Sequence, residues 1–455
     1  MAGGLSAGER VEKLTASFLA SICLLMAVAP YARSGCGDVP FAQEHITFLS
    51  LPNGLRVVTE EMPGTVLASV HVVIRVASRN EDSRNNGISH LLEHLIFRDR
   101  RLREAVEGVG GELNGFVTRD YTSFYATVSV GHLPSVLEAL AQAICKPTFD
   151  QAQVELERKV VLSELAGDAD DPREIAQGLL MRMTHANHPY RLPIGGNAET
   201  LSAFTSERLQ SWHSQWYCPD NSSVVISGGM SSPAVAEAVT RALGDWERGR
   251  VNREEVSPEP AQTATRSARA VVSSSPALLS LGWRGPRGEQ ARESLAMDLI
   301  SQLLNGGADS RLEYALVERE GLAQSVAGEW QPLRDGGVLE VRALCAPEDL
   351  AEAKRAILRK VAWLRNRRVP NDELLHAKRL LAAGWIMGNE SPDERARTLA
   401  EREGTSSYRV LTEWAALLRR ITAADVQTVA KRYLDDRYAV IVEVGPKRDA
   451  RSANR

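Results

Sequence analysis

Cysteine is scarce in this sequence, and its spacing excludes the usual structural roles. The five cysteines form no C-x-x-C pair, and their spacing is typical of neither a disulfide scaffold nor a cysteine-based zinc site. One lies near the N-terminus and would leave with a cleaved leader, and the others are expected to be buried thiols or an acylation site. The positions are Cys23, Cys36, Cys145, Cys218 and Cys345.

An excess of charge of one sign is also absent. The chain has 54 Lys and Arg against 58 Asp and Glu, a formal net charge of −4. Proteins that bind nucleic acid ordinarily carry a basic excess that neutralises phosphates, so no nucleic-acid partner is expected. The 25% charged and 44% hydrophobic content is typical of a soluble globular protein, and 455 residues allow two domains of about 200 residues each.

The sequence lacks an apolar run as long as a membrane-spanning helix requires, about 20 residues. Residues 14–29 form an apolar run of 16 positions that follows two basic residues and precedes a proline and small residues. That order is typical of a secretory signal, whereas Glu9 and Glu12 disfavour a mitochondrial transit peptide. We therefore predict that residues 1–37 are a signal peptide or an N-terminal anchor, with an over-long translation start as the alternative.

The end of this segment, Ser34-Gly35-Cys36, resembles the cleavage site of a bacterial lipoprotein, although Arg33 stands where leucine is expected. Lipid attachment to a cysteine is one way in which an exported protein is anchored to a membrane. The sequence therefore predicts export, to the bacterial periplasm or to a membrane facing it, with Cys36 as the candidate lipid site.

The clearest chemical pattern lies in the segment GISHLLEHLIF, residues 87–97. His90 and His94 are four apart, so a helix would place both imidazoles on one face, where they could share a metal. Glu93 lies on the same side, within reach of a water held by that metal, and the order H-x-x-E-H is the inverse of the commoner H-E-x-x-H. With 9 histidines in 455 residues, chance would produce the pattern in about one such chain in a hundred. The motif favours a metal site and requires a third ligand elsewhere.

A later segment carries two glutamates at helical spacing. Asp150 is predicted to cap an amphipathic helix that ends near Pro172, and within it Glu157 and Glu164 are seven apart, two turns along one face. Their neighbours are apolar, so at least one of the two carboxylates should be protected from solvent. Most helical glutamates form surface salt bridges instead, and the residues alone leave both interpretations open.

The second half of the chain resembles the first. RLQSWHSQWYCPDNSSVVISG ends the first half and VQTVAKRYLDDRYAVIVEVG ends the second, which pairs Tyr217 with Tyr433, 216 positions apart. This is the length of a domain-sized repeat. The helix HLLEHLIF has its counterpart in MDLISQLL, where Met297, Ile300 and Ser301 replace the two histidines and the glutamate. One metal site per chain is therefore expected.

This repeat divides the chain into domains. Residues 250–269 are rich in Glu, Pro, Ser, Thr and Ala without periodicity, which is typical of a linker. The predicted organisation is a leader at 1–37, an N-terminal metal-bearing domain at 40–249, the linker at 250–269, a C-terminal domain without the metal motif at 270–447, and a tail at 448–455.

Several motifs follow one another along the chain: PNGLRVV, ASRNE, the H-x-x-E-H helix, GGELNGFVTRDYTSFY, ERKVVLSE, HPYRLPIGG and LLNGGADSRL. With these motifs, from Ile46 to Gly445, the chain resembles the pitrilysin (inverzincin) superfamily of zinc metallopeptidases, most closely the mitochondrial-processing-peptidase-like group with two domains per chain. The resemblance implies an α+β fold of two homologous αβ domains, the second one inactive. Each is a mainly antiparallel sheet packed with helices, as in LuxS-like metallohydrolases.

The resemblance also implies a zinc site with one Zn²⁺ per chain. His90, His94 and Glu164 would bind the metal, and Glu157 would orient a histidine without binding the metal itself. Two imidazoles and one carboxylate form an open catalytic site whose fourth position holds water. Glu93 would take the proton of that water and pass it to the leaving amine.

A mode of substrate binding follows from the same resemblance. In such families a peptide adds as a strand to a sheet edge, where main-chain hydrogen bonds provide most of the affinity. The matching segment here consists of Asn114, Gly115, Phe116 and Val117, with glycine at the position where the family has a small residue. An edge strand binds a peptide mainly through the peptide's backbone rather than its side chains. Cleavage of extended peptides of varied sequence is therefore expected.

Two departures from the family pattern matter. FRDRR at residues 97–101 replaces a stretch similar to F-K-G-T and predicts a trimmed surface loop. Family members also use an arginine and a tyrosine of the opposite domain to hold the substrate carbonyl. Here Val317 and Gln324 occupy those positions, unless Arg319 and Tyr314 replace them in a shifted register. A heterodimer with a homologous, zinc-free subunit that supplies the pair is therefore expected, with a homodimer as the alternative.

The sequence thus predicts a zinc-dependent endopeptidase subunit that cleaves extended peptides. The alternative is a non-catalytic subunit that holds peptides or serves as a scaffold in a processing-peptidase-like complex, since the superfamily also contains such members. That alternative predicts damaged ligands, whereas His90, Glu93, His94 and Glu164 are all present.

Overall fold

Two β-sheets, each packed with helices, make up the part of the chain that the structure describes. The computed structural model describes residues 46–249, 251, 256–273, 275–307 and 310–447, which belong to one compact unit. The predicted leader, its candidate lipid site Cys36 and the predicted tail lie outside the described residues. Within the described ranges, no helix is both long enough and apolar enough to cross a membrane.

The first sheet has six strands in the order β1-β2-β6-β3-β5-β4. β3 lies inside the sheet and is buried along almost its whole length, because its sequence LASVHVVI is largely β-branched and apolar on both faces. β1 and β2 form a hairpin, and in the turn between them Gly54 has a φ of 92°. The strands are β1 (Ile46–Ser50), β2 (Arg56–Glu61), β3 (Leu67–Ile74), β4 (Glu112–Val117), β5 (Thr122–Ser129) and β6 (Ser222–Gly228).

Helices of the first half bury their apolar faces against this sheet. Leu92, Leu137 and Val239 belong to one core cluster with residues of the strands, so the helix that carries the H-x-x-E-H motif is part of the core. The helices are α1 (Ile88–Phe97), α2 (Arg100–Glu107), α3 (Leu133–Cys145), α4 (Gln151–Asp168), α5 (Pro172–Thr184), α6 (Ala198–Ser202), α7 (Ser206–Trp216) and α8 (Ser232–Leu243).

The second sheet has five strands in the order β7-β11-β8-β10-β9. They are β7 (Arg266–Val271), β8 (Ala277–Arg284), β9 (Ser325–Gln331), β10 (Val338–Cys345) and β11 (Val440–Gly445). Its helices are α9 (Ala291–Asn305), α10 (Leu350–Asn366), α11 (Asn371–Met387), α12 (Pro392–Thr405), α13 (Arg409–Arg420) and α14 (Ala423–Tyr433).

The two sheets have matching topologies. The parallel pair β2–β6 corresponds to the parallel pair β7–β11, and the antiparallel strands β3-β5-β4 correspond to β8-β10-β9. Helix α1 lies against the edge strand β4, and α9, which carries Met297, Ile300 and Ser301, lies against the edge strand β9. The predicted α+β fold with two mainly antiparallel sheets is therefore confirmed.

The predicted linker is wrong at its C-terminal end. Residues 266–269 belong to β7, which pairs in parallel with β11. Gln262 is buried and donates to the carbonyl oxygens of Ala264 and Ala439. The polar composition of this stretch did not indicate a strand, because β7 is an edge strand and its partner β11 lies far along the chain. The other predicted domain boundaries stay predictions.

Each half of the chain contributes a helix to the sheet of the other half. Helix α12 packs on β3 and β6 of the first sheet, and α5 packs on β7, β8 and β11 of the second. At the first interface the fully buried side chain of Glu403 pairs with Arg56 and Arg75, and Arg395 pairs with the buried Glu60. These exchanged helices hold the first sheet, and with it α1, in a fixed relation to the second half.

Candidate active site

A buried carboxylate holds the N-terminal end of helix α1. Glu81 accepts hydrogen bonds from the backbone N–H groups of Gly87 at 2.8 Å and Ser89 at 3.0 Å, where the helix dipole favours negative charge. Burial raises the pKa of Glu81, although these hydrogen bonds favour its charged form. Glu81 is the last residue of the ASRNE motif, but the motif by itself did not indicate that this acid binds the start of α1.

The three motif side chains converge on one face of α1. One ligand atom from each of His90, Glu93 and His94 lies within 4.8 Å of the others, and the two imidazole rings are nearly perpendicular at 87°. Within the described part of the chain, this is the one group of three or more His, Cys, Asp and Glu side chains close enough to hold a metal. Glu93 is buried and both histidines are half-buried, so the group is shielded from solvent without being closed.

Helix α4 brings the two predicted glutamates to opposite nitrogens of His94. Glu157 Oε2 lies 3.5 Å from Nδ1, and Glu164 Oε2 lies 3.4 Å from Nε2. Glu93 Oε2 lies 4.0 Å from the same Nε2. Glu157 is buried, whereas 42% of the Glu164 side chain is exposed. Nε2 therefore points to the acidic group on α1, with Glu164 beside it, and Nδ1 points away from it. The assignment of Glu164 as a metal ligand stays a prediction.

The protonation of these groups is shifted by burial and by their mutual charges. Burial raises the pKa of Glu93 to about 7. Burial lowers the pKa of His90 to about 4, and repulsion from His94 adds to this effect. For His94, burial lowers the pKa, but the hydrogen bond with Glu164 and the surrounding carboxylates raise it above its ordinary value. His90 is therefore neutral near pH 7, which is the form that binds a metal.

The donor set fits a zinc ion. His90 Nδ1 is buried, and no hydrogen-bond partner for it is found among the described residues. His94 Nε2 faces the carboxylates of Glu93 and Glu164. Two neutral imidazoles and a carboxylate are the ligands of open catalytic zinc sites, and a divalent cation would offset the negative charge gathered here.

The edge strand β4 runs beside the motif. β4 pairs with β5 and is the last strand of the sheet in the described chain, so its outer backbone groups can pair with an added strand. Gly115 approaches Glu93 so closely that a Cβ atom built on it would lie 2.5 Å from Glu93 Oε1. The predicted substrate-binding residues thus lie on an unpaired edge next to the acidic group; they are Asn114, Gly115, Phe116 and Val117.

A loop from the HPYRLPIGG motif closes over the start of α1. A Cβ atom on Gly195 would lie 3.4 Å from His90 Nδ1, and one on Gly87 would lie 2.7 Å from the carbonyl oxygen of Gly195. The buried guanidinium of Arg119 donates to the carbonyl oxygen of Leu192 at 3.0 Å and so holds the loop. The Gly-Gly pair of the motif was the one signal of this contact in the sequence, and no role was predicted for it.

The two positions where an arginine and a tyrosine were expected lie in the second half. Val317 is half-buried on a helical segment that begins at Glu313, and Gln324 is exposed just before β9. The structure describes both proposed substitutes. Arg319 forms an ion pair with its neighbouring glutamate, and Tyr314 is 55% exposed. The need for a partner that supplies the arginine and tyrosine stays a prediction.

Two family models match consecutive parts of the chain. The model described as Insulinase (Peptidase family M16) matches residues 56–198, and the model described as Peptidase M16 inactive domain matches residues 203–381. The first match contains α1, α4 and β4. The second contains α9, the counterpart of α1 that lacks the motif.

Relatives of this chain are similar to it over most of its length. An uncharacterized zinc protease of Mycobacterium bovis is 32% identical over 423 residues, 89% of this chain and 94% of the relative. A probable mitochondrial-processing peptidase subunit beta of Arabidopsis thaliana is 26% identical, covering 89% of this chain and 79% of the relative. Among solved structures, a protease from Helicobacter pylori matches with a TM-score of 0.83 at 24% identity, over 88% of this chain and 99% of that one.

Proposed function

Because the chain belongs to the insulinase (M16) family of peptidases and resembles proteins named as zinc proteases, we propose that it is a zinc-dependent endopeptidase with Glu93 as general base. Family membership supports the coarser statement that it is a metallopeptidase. The observation that carries the finer proposal is the convergence of His90, Glu93 and His94 on one face of α1, next to the unpaired edge of β4.

His90, His94 and Glu164 would hold one zinc ion per chain, which when bound polarises a water molecule and the scissile carbonyl. Glu93 accepts a proton on its carboxylate and returns it to the leaving amine. Glu93 lies on the same face of α1 as His90 and His94, so its carboxylate is within reach of a water held between them.

The substrate is proposed to be an extended peptide that adds to β4 as a further strand. Its backbone would pair with the outer groups of the strand that carries Asn114, Gly115, Phe116 and Val117. Gly115 has no side chain between this edge and the Glu93 carboxylate, so a peptide bond on β4 comes within reach of the general base. Recognition through the backbone favours broad sequence tolerance.

The test compares three variants of the full chain for zinc content and for cleavage of an internally quenched peptide. Glu93→Gln should keep about one zinc per chain and lose cleavage, by at least about 100-fold, because the amide cannot accept the proton. His90→Ala should lose the zinc and cleavage together. The exposed His132 lies outside the group, and His132→Ala should match the wild type in both measurements.

Full activity of the Glu93→Gln protein would refute the assignment of the general base. A wild-type chain that binds no zinc and cleaves no peptide, alone or with a partner, would favour the alternative of a non-catalytic subunit.

We further propose that a partner subunit supplies the arginine and tyrosine that this chain replaces with Val317 and Gln324. The partner would be homologous and lack the zinc motif, and a homodimer is the alternative. Mixing the purified chain with such a partner should raise kcat/KM by at least about 100-fold, since loss of one oxyanion donor costs that much in other enzymes. A chain that is fully active alone, with no gain from the partner, would contradict this proposal.

Export is proposed from the leader at residues 1–37, which lies outside the described residues. The chain would act in the periplasm or on a membrane facing it, with Cys36 as a lipid site. Fractionation of cells that express the full chain, with Cys36→Ser compared with wild type, tests both parts. A chain confined to the cytoplasm with its leader intact would contradict export.

A further inference from the structure

Arg98, the first residue after α1, reaches the buried carboxylate of Glu157. Arg98 Nε lies 2.6 Å from Glu157 Oε1, and the other oxygen, Oε2, lies 3.5 Å from His94 Nδ1. One carboxylate therefore bridges a guanidinium and a histidine of the motif. We propose that Arg98 is a positioning residue, which fixes Glu157 so that Glu157 holds His94 in its metal-binding orientation. This inference rests on the proposed function, because it assumes that His94 binds zinc.

Glu157 needs a cation because of where it lies. Only 2% of its side chain is exposed, and a carboxylate removed from water is costly unless it is paired. His94 cannot provide the opposing charge when Nε2 binds a metal, because imidazole binds metals in its neutral form. A guanidinium is a permanent cation in proteins, and half of the Arg98 side chain remains in water. It can therefore neutralise Glu157 whether or not the metal is bound.

The orientation of His94 follows from the same bridge. A carboxylate that accepts from Nδ1–H keeps the proton on Nδ1 and leaves the lone pair of Nε2 directed at the metal. The 3.5 Å separation is at the outer limit of a hydrogen bond, so a small rotation of Glu157 decides whether the bond forms. Arg98 limits that rotation. The backbone N–H of Arg98 donates to the carbonyl oxygen of His94 at 3.1 Å. This bond fixes the position of Arg98 relative to the last turn of α1, which carries His94.

The neighbouring arginines show that this contact is specific to Arg98. Asp99 caps α2, so only two residues separate α1 from α2, and the predicted trimming of this loop relative to the family stays a prediction. On α2, Arg100 and Arg103 form exposed ion pairs with glutamates four residues later. Arg98 is the member of this basic segment that turns inward to a buried acid. Arg103 thus provides a matched control, an arginine on an adjacent helix whose ion pair is exposed.

The experiment measures zinc affinity of the full chain by competition with a chelating dye, a readout that does not depend on turnover. Arg98→Ala should weaken zinc binding about tenfold, the lower part of the range for removing an outer support of a metal ligand. Arg98→Lys, which keeps the charge, should recover most of this loss. Glu157→Gln should weaken binding at least as much as Arg98→Ala, and adding Arg98→Ala to it should cause little further loss, since Arg98 acts through Glu157. Arg103→Ala should bind zinc as the wild type does.

Two results would overturn the proposal. One is Arg98→Ala with a zinc dissociation constant equal to that of wild type. The other is a double variant in which the two losses multiply, because the residues would then act independently. Should Arg98→Ala fail to fold, Arg98→Lys is measured against wild type, and a full tenfold weakening of zinc binding by this charge-preserving change would contradict the proposal. A wild-type chain that binds no zinc would overturn both the proposed function and this inference. Equally tight zinc binding by wild type and Arg98→Ala would overturn the role of Arg98 alone.

Discussion

Removal of the Glu403 carboxylate should loosen the attachment of the second half of the chain to the first sheet. Its oxygens accept from Arg56 at 3.0 Å, Arg75 at 3.2 Å, the hydroxyl of Ser223 at 3.0 Å and the backbone N–H of Tyr408 at 2.9 Å. The Glu403 side chain has no exposed surface, so water cannot replace these partners unless the interface opens. The substitution Glu403→Ala therefore leaves two arginines facing a buried gap.

The expected loss can be estimated from this environment. Breaking a buried ion pair by removing one partner costs about 3–5 kcal/mol. Arg56 is 30% exposed and Arg75 is 11% exposed, so partial rehydration places the loss near the lower end, about 3 kcal/mol. The unfolding entropy of about 2.1 cal/mol/K per residue gives about 0.8 kcal/mol/K for a unit of about 400 residues. The melting temperature should then fall by about 4 °C.

The assay is thermal unfolding of the zinc-free full chain, with urea unfolding as a second measurement. Glu403→Gln should lose less than Glu403→Ala, because the amide oxygen still accepts one or two hydrogen bonds. The Glu352 side chain on α10 is 41% exposed and pairs with nearby arginines, and Glu352→Ala should shift the melting temperature by less than about 1 °C. If Glu403→Ala behaved like this control, the buried network would not hold the two halves together, and the reasoning would be refuted.

The remaining predictions concern the general base and a buried histidine of β3. Gly115→Ala should lower kcat about tenfold with zinc content unchanged, since a Cβ 2.5 Å from Glu93 Oε1 must displace that carboxylate. Gly384→Ala, whose Cβ would contact nothing within 4 Å, is the control, and equal activities would show that Glu93 is not held against β4. Burial lowers the pKa of His71 from 6.5 to about 3, so the unfolded chain binds the extra proton between these pH values, and stability falls as the pH drops below 6.5. Between pH 7.5 and 5.5, wild type should lose about 1 kcal/mol more than His71→Asn in urea unfolding, and parallel losses would contradict this assignment.

Several features of the fold follow from residues that are close together in the sequence. The four-residue spacing of His90 and His94 places both rings on one face of any helix that contains them, and the structure forms that helix. The β-branched run of β3 predicts a buried strand. The internal repeat predicts two related sheets, because similar patterns of apolar residues in the two halves produce similar strands and helices with the same buried faces. These predictions succeed because they depend on local periodicity.

Predictions failed where the partner of a residue is remote. The end of the linker at residues 266–269 is a strand, because β11, about 170 residues later, offers it backbone partners. Glu81 ends the ASRNE motif, but its role was not predicted, since the backbone N–H groups that it binds belong to the start of α1, after an intervening loop.

The sequence by itself determined which residues could form a metal site, because His90, Glu93 and His94 need only one helix to meet. Their surroundings were decided by tertiary structure. Only the packing of α4 against α1 sets which oxygen of Glu157 faces Arg98 and which faces His94. Such contacts join side chains about 60 positions apart, and their geometry depends on how two helices pack rather than on the spacing within either one.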